Sequence, residues 1–566
     1  MQRFARLSRL LGIFAFVVAA SPQIVNAQRL RPIPHPIGVV NPQAQAGASA
    51  NAQATAQAQP KVHAQANLAN SSKPKPAAGW TPLTNQPDFL IDGASNPILL
   101  TDGSVLFQDT AFPDWWKLTP DKFGSYVNGT WSQVASLPNT YSPLYHSSAV
   151  LPDGRLIIEG GEYLLNDTQD ALIPSWTPQG SIYDPVANTW TPVAPPPFFT
   201  GFGPFPQTIG DAQSVVLPNG TYMQANCCTF EQALLDAKTL TWTQTGSNKF
   251  DINDEEGWTL LPNGKVLTVD AYVPVGIPYI PDGTNSEIYD PKTGSWSSAG
   301  STIAQLWDST AACGGLTNNT TFEVGPGVLR PDGTVFYTGA NTCPGAAGNT
   351  AIFNSFTGNW TAGPQFPAPN NVADGPAALE PNGKVLVFAS PSFGDPPAQF
   401  FEWDGKNLNA IPGTPNTPFD GSFVGNMLVL PTGQILFTDF SNDVEIYTPT
   451  PGHPENAEPI VIAAPIFLNR GHSYQVFGFR FNGVSQGAAY GDDVQAATNY
   501  PLVRITNLID GHVQYSRTHD HSSMAVASPK LVSTHFDVPA SQERGICKLE
   551  VVANGIASNP VFVFVQ

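Results

Sequence analysis

From about residue 78 the sequence is a succession of short apolar runs separated by turn residues. One pattern recurs seven times: an apolar run, a turn of the Pro-Asp-Gly or Pro-Asn-Gly type, and a second apolar run. The copies are LLTDGSVLF (99–107), VLPDGRLII (150–158), VLPNGTYMQ (216–224), LLPNGKVLT (260–268), LRPDGTVFY (329–337), LEPNGKVLV (379–387) and VLPTGQILF (429–437). Asp-Gly and Asn-Gly between apolar runs predict β-hairpins, because both residues tolerate positive φ. The turn glycines are Gly103, Gly154, Gly220, Gly264, Gly333, Gly383 and Gly433.

A second pair of strands follows most hairpins, an aromatic "YDP" strand and then a Trp strand. Examples are IYDPVANTWTPV (182–193), LLDAKTLTWTQT (234–245), IYDPKTGSWSSA (288–299) and AIFNSFTGNWTA (351–362), and Trp131 serves the first copy. Each unit is thus a four-stranded meander of roughly 50 residues, the period of a kelch-type β-propeller blade. In the sixth unit Leu408 stands where a Trp is expected. The seventh ends at VEIYTPTPG (444–452) without a Trp strand, while Trp80 precedes the first unit as an orphan. That arrangement predicts that the N-terminal strand completes the last blade and leaves no open sheet edge. After Pro454 the turn motif stops, and alternating segments such as YPLVRIT (500–506) and NPVFVFVQ (559–566) predict an appended Ig-like β-sandwich. The expected fold is all-β, a seven-bladed kelch-type propeller over 78–453 followed by an Ig-like sandwich over 454–566.

Composition agrees with this reading. The 566 residues include 50 Gly and 55 Pro but only 12% charged residues, and Gly and Pro are the poorest helix formers. A helical bundle is excluded. The net charge of −19 argues against a nucleic-acid partner, which requires a basic patch, and against anionic membranes.

The N-terminus places Arg3, Arg6 and Arg9 before the apolar run Leu10 to Ala20 and ends in Val25-Asn26-Ala27, which reads as a secretory signal peptide over 1–27. Residues 28–77 are rich in Ala, Gln and Pro and lack aromatics, so they read as a disordered linker. The mature protein is expected to be secreted or periplasmic, free of the membrane and monomeric.

Propellers place function at one mouth of the central channel, where the first strand of each blade begins. Nine residues before each turn glycine stand Ala94, Tyr145, Asp211, Glu255, Val324, Asp374 and Val424, with His146, Glu256 and Glu323 beside them. This predicts a rim of Tyr145, His146, Asp211, Glu255, Glu256, Glu323 and Asp374. Such converging acids suit a cation or a polyhydroxylated ligand, whose hydroxyls donate to carboxylates. His519 and His521 alternate, so on a strand they face the same way and together with a rim acid make a candidate metal site. The alternative is a polar loop capping the propeller.

The seven kelch-like units, the segment Tyr145 to Arg155 and the run YSRTHDHSSMAVASP (515–529) with STHFDVPA (533–540) together resemble the galactose oxidase and glyoxal oxidase family of secreted copper radical enzymes. The resemblance covers about residues 79–566. It implies a copper held by a second-blade tyrosine, a Tyr-His pair opening the last blade and a histidine of the appended domain, with a first-blade cysteine bonded to the tyrosine. Tyr145 and His519 match that set. The cysteine position is Ala94 and the last-blade pair is Phe423-Val424. The implied protein therefore has the family's fold without its main copper ligands, no cofactor is expected, and no catalytic residue is assigned. The leading expectation is a glycan or polyhydroxylate binder at the acidic rim. The alternatives are a copper-dependent oxidase of primary alcohols or aldehydes with a rearranged site, and a structural or adhesive surface protein. No nucleophile elbow, HExxH or P-loop supports a hydrolase.

Of the five cysteines, Cys313 and Cys343 flank a hairpin and are the preferred disulfide, worth about 3 to 4 kcal/mol in the chain-entropy model. Cys227 and Cys228 form either a vicinal disulfide or a buried thiol and its neighbour, and Cys547 reads as a buried free thiol.

Overall fold

The computed structural model describes residues 79–566 except 139, 167, 168, 170, 272–283, 308–321, 341–345, 392, 393 and 495. The leader, the linker and the Cys313–Cys343 pair lie outside the described residues.

The chain is all-β. Among the described residues the helical pieces are two three-residue 3-10 turns, Thr417–Phe419 and Ser422–Val424. No helix there is long and apolar enough to cross a membrane. Seven antiparallel sheets of the meander type follow one another along the chain. Their first strands are Ala94–Leu99, Ser147–Val150, Ser214–Val216, Thr259–Leu260, Gly327–Leu329, Ala377–Leu379 and Asn426–Val429. Ala94–Leu99 of blade one packs against Asn426–Val429 of blade seven, which brings the two ends of the series together. Trp80–Pro82 pairs with Glu445–Tyr447 as the fourth strand of blade seven, with Trp80 opposite Tyr447.

The seven turns share one geometry that differs from the expected one. Every turn glycine has positive φ, from 78° to 90°, but the Asp or Asn before it does not. In six of the seven its side chain instead accepts the backbone N–H two residues on, at 3.0 Å for Asp102 and Ser104, 3.1 Å for Asp153 and Arg155, and 3.0 Å for Asn263 and Lys265; in the seventh Thr432 stands there, and its hydroxyl donates to Gln434 Oε1 at 2.9 Å. The acid or amide is therefore selected as a hydrogen-bond acceptor, and only the glycine for its left-handed backbone.

Strands from Ile460–Ala463 to Val561–Val565 form a nine-stranded sheet closed on a core that includes Val476, Ile505, Phe536, Leu549 and Val563. This unit sits on the hairpin-turn end of the propeller. Tyr515 covers Gly103, where a Cβ would lie 2.5 Å from its ring. Arg517 Nη2 donates to the Asp153 carbonyl at 2.9 Å, and the His521 N–H donates to the Pro152 carbonyl at 2.9 Å.

Residues 484–500 leave that sheet and run along the first strands of blades four to seven. The Leu260 N–H donates to Gln486 Oε1 at 2.7 Å, Ala488–Ala489 pairs with Ala377–Leu379, and the Tyr490 hydroxyl donates to the Phe423 carbonyl at 2.6 Å. Small residues permit this approach: a Cβ on Gly257 would stand 2.2 Å from the Gly491 carbonyl oxygen. This inserted finger ends among the carboxylates at the mouth opposite the hairpin turns.

Candidate ligand site at the channel mouth

Tyr145 precedes the first strand of blade two and is held by a small separate sheet of Pro143–Leu144, Tyr163–Leu165 and Leu172–Pro174. Its φ is 53°, and Glu255 at the corresponding place in blade four has φ 58°. Left-handed backbone at bulky residues costs on the order of 1–3 kcal/mol and is concentrated at functional sites.

Around Tyr145 the fold gathers acids from five blades and from the finger. Burial, then the charges of Asp374, Glu162, Asp493 and Glu323, push the Tyr145 phenol well above its usual range. Burial and Asp211 push Asp374 up to about 8, although the Tyr490 hydroxyl, 2.9 Å from its Oδ2, acts in the other direction. Asp211 is pushed up to about 6 by burial. Asp492 and Asp493 are raised by burial, by each other or by Asp374, and by Asp211. Glu255 is raised by burial, by Glu323, with which it shares a hydrogen bond, and by Asp492 and Asp254. Three oxygens in this group have no hydrogen-bond partner: Asp211 Oδ1, Asp374 Oδ1 and Asp493 Oδ2. Their residues are 6%, 5% and 1% exposed.

The structure thus brings together Tyr145, Asp211, Glu255, Glu323 and Asp374 of the expected rim. His146 and Glu256 are corrections. His146 Nε2 lies 3.1 Å from Asn96 Nδ2 and 3.0 Å from Gln108 Oε1 between blades one and two, and burial lowers its pKa to about 4. The chain turns at the left-handed backbone of Tyr145, so that its ring stays at the mouth while His146 enters the blade. Glu255, also left-handed, faces the mouth, and Glu256 faces inward, where its Oε1 accepts from Lys249 Nζ at 2.8 Å. Lys249 is also 2.8 Å from Glu287, 3.6 Å from Asp270 and in contact with Asp251. Burial opposes its charge, but these four carboxylates outweigh burial and hold its pKa well above the usual lysine value.

The expected grouping of His519, His521 and Tyr145 is also corrected. Asp520 has φ 51° and breaks the strand between the two histidines. His519 lies between Asp520 and Asp537, at 2.8 and 3.1 Å. His521 is buried, stacked on Tyr500 and 2.8 Å from Thr534 Oγ1. Both pack at the hairpin-turn end beside Pro152, seven residues of mostly extended chain from Tyr145, or roughly 20 Å. The segment of the appended unit that reaches the mouth is 484–500, and it carries Tyr490, Asp492 and Asp493 rather than histidine. Ala94 opens the first strand of blade one, and Phe423 and Val424 form part of a 3-10 turn whose carbonyl receives Tyr490.

Cys227 and Cys228 are joined by a disulfide. Cys227 Sγ would lie 2.5 Å from a Cβ on Gly210, and Trp176 Cδ1 3.0 Å from it, so the disulfide and the indole both back the residue before Asp211. Cys547 is free and buried. Sequence reasoning missed Glu162, Asp254, Tyr490, Asp492 and Asp493. The available signal for the last three was the stretch GAAYGDD (487–493), glycine-rich and without the alternation of its neighbours.

No protein-family model matches the chain, and no curated protein does. Among solved structures it is similar to a fungal alcohol oxidase of the AA5 family in complex with copper, at 16% identity over 83% of this chain and 85% of that one, with a TM-score of 0.38. It is also similar to virginiamycin B lyase from Staphylococcus aureus, at 9% identity over 66% and 98% of the two chains, TM-score 0.41. A third is YCF48 bound to D1 peptide, at 12% identity over 67% and 99%, TM-score 0.40. Each likeness is one of fold.

Proposed function

We propose that the protein is an exported binding protein that takes a hydroxyl-rich ligand, such as a glycan, at the mouth formed by Tyr145, Asp211, Glu255, Glu323, Asp374 and the finger. The observation that carries this reading is the set of three buried carboxylate oxygens without partners, on Asp211, Asp374 and Asp493. A buried acceptor without a donor costs about 1–3 kcal/mol, and ligand hydroxyls remove that cost. Acids with raised pKa are partly protonated near neutrality and can also donate, which matches a hydroxyl's double character. Export is supported by the leader-like pattern of residues 1–27.

A copper radical oxidase is the second reading, and Tyr145 at the mouth is what favours it. The donor set does not fit that chemistry. Ala94, Phe423 and Val424 offer no ligand side chain, the finger offers oxygen donors, and the neighbouring imidazole of His146 is engaged by Asn96 and Gln108. Oxygen-only sites suit hard cations in preference to copper.

The test is a glycan array followed by calorimetry with the purified protein and its Asp374→Asn variant, with copper content and oxygen uptake measured in parallel. Glycan binding that weakens in the variant, without copper-dependent oxygen uptake, is expected. Stoichiometric copper with oxidation of primary alcohols would overturn the reading.

A further inference from the structure

The last strand of the chain, Val561–Val565, reads Val-Phe-Val-Phe-Val. Val563 and Val565 enter the core of the appended unit, while Phe562 and Phe564, on the other face, are exposed. An antiparallel strand with one wet face carries polar residues there, and apolar residues on both faces mark a strand covered on both. The neighbouring strands repeat the anomaly in register. Ile546 stands directly opposite Phe564 on one side and Phe467 opposite it on the other, with the two rings 6.4 Å apart. Leu508, just past the strand Leu502–Asn507, donates its N–H to the Ile546 carbonyl at 3.0 Å and extends the row. Leu508, Ile546, Phe564 and Phe467 therefore cross the sheet side by side with Phe562 next to them, and all five are between 42% and 63% exposed.

The propeller covers this same face farther along. Arg504 lies opposite Glu550 on one side and opposite Tyr515 on the other, and Tyr515 is the residue seated on Gly103 of blade one. The strands that carry the row hold one acid, Glu550. It is paired with Arg504 Nη2 at 3.0 Å and Lys548 Nζ at 3.5 Å. A chain of net charge −19 thus meets no free like charge on these strands when it approaches a copy of itself.

We infer that this face is the docking surface for a second copy of the chain, packed sheet on sheet about a two-fold axis. At about 200 Å² for a full side chain of this size, the five residues expose about 500 Å² of apolar surface. Ile466 and Ile509, beyond the two ends of the row and 63% and 84% exposed, bring this close to the roughly 800 Å² per partner of a stable interface. Monomers seldom expose an apolar face of that size. A two-fold axis through the row lays it across its own counterpart, an isologous contact that closes as a dimer, with side chains interdigitating as in a β-sandwich. The protein is then a dimer through its appended unit, in place of the expected monomer.

The experiment is sedimentation velocity on the purified protein from about 1 to 100 μM, a range suited to the weak end of such contacts. A mass rising from one chain to two, and still doing so at about 1 M sodium chloride, is expected. Phe564→Glu places a charge in the middle of the row without entering the core, and it is expected to weaken dimerisation at least tenfold with an unchanged far-UV spectrum. Leu531→Glu is the control. It alters a shorter apolar row elsewhere on the appended unit, Ile460, Phe479 and Leu531, and should leave the dimer intact. A monomer over the whole range, growth beyond two chains, or a dimer broken by Leu531→Glu and not by Phe564→Glu would overturn the proposal. So would a monomer that co-sediments with neutral phosphatidylcholine vesicles and loses this in Phe564→Glu, which would assign the face to lipid.

Discussion

Glu255 and Glu256 are adjacent, equally acidic and both buried, yet they belong to regions with opposite electrostatics. Glu256 helps to hold a lysine whose charge is stabilised by four carboxylates. Glu255 faces other acids; burial and like charge raise the pKa of both residues, and Lys249 acts against that rise only at Glu256. One cluster is a finished structural element, with Trp296 5.6 Å from Lys249 Nζ and Thr268 Oγ1 donating to Glu256 at 3.1 Å. The other has left-handed backbone at Tyr145 and Glu255, and although both clusters keep buried oxygens without a hydrogen-bond partner, only the inner one contains a lysine. The comparison teaches that burial of acid is not itself the mark of a ligand site. What distinguishes the mouth is that, among the described residues, no ion pair involves Asp211, Asp374 or Asp493.

The largest expected effect comes from making the inner cluster resemble the mouth. Lys249→Met removes the cation and leaves four buried carboxylates facing one another. Breaking a buried ion pair by removing one partner costs about 3–5 kcal/mol. The denaturation midpoint should fall accordingly, and more at pH 8 than at pH 5, because the abandoned acids resist ionising. A loss below about 1 kcal/mol would mean that the lysine's charge contributes little and that the two clusters do not differ as argued.

Next in size is Gly257→Ala, which changes no charge. Its Cβ would lie 2.2 Å from the Gly491 carbonyl oxygen, so the backbone of either blade four or the finger must shift. Overpacking of this kind costs about 1–3 kcal/mol. The displaced finger carries Asp492 and Asp493 out of register with Asp374, and ligand affinity should fall although every carboxylate remains. Unchanged affinity in a destabilised variant would show that the mouth does not depend on the finger's position.

A smaller effect, of opposite sign, is expected from Asp374→Asn. The folded-state pKa of Asp374 is raised to about 8 from an ordinary carboxyl value of 3.8. Between those values the unfolded chain has released the proton while the folded chain still holds it, so stability falls as pH rises through that window. The asparagine variant has no such proton, so it should gain on the parent as pH rises from 5 to 8, by more than about 1 kcal/mol, a difference in which any pH-independent packing loss cancels. Melting curves at both pH values give the sign directly. Ligand affinity of the parent should rise over pH 6 to 8, as the carboxyl gives up its proton and accepts from ligand hydroxyls. A variant that gains nothing at pH 8 would show that Asp374 is already ionised in the folded protein.

The repeat architecture was legible because the turn geometry is local: a Gly at positive φ and an acceptor just before it suffice, and seven copies fix the blade frame. Counting back from those glycines reached Tyr145, Asp211, Glu255 and Asp374, since the distance from mouth to turn is nearly the same in each blade although the first strands themselves run from two to six residues. It failed by one residue at His146 and Glu256, where the chain turns at the left-handed residue just before and a count without a face assigns both neighbours. It failed altogether for Tyr490, Asp492 and Asp493, which reach the mouth through a non-local insertion that no periodicity announces. The histidines at 519 and 521 misled because strand alternation was assumed across Asp520, whose left-handed backbone ends it.

The smallest prediction isolates charge from the general fragility of blade four, which supplies residues to both clusters. Asn263 lies in that blade's hairpin turn, at the other end of the strand from Glu255 and Glu256, and its Oδ1 accepts the Lys265 N–H at 3.0 Å. Asn263→Ala removes one exposed, water-replaceable hydrogen bond, for which about 0.5–1 kcal/mol is expected. With no shared partner, its effect should add to that of Asp374→Asn within about 0.5 kcal/mol, and ligand affinity should not change. If Asn263→Ala instead destabilises as much as Lys249→Met, blade four is a weak point whatever its charges. The contrast between the clusters would then reflect where they sit, not which of them contains a lysine.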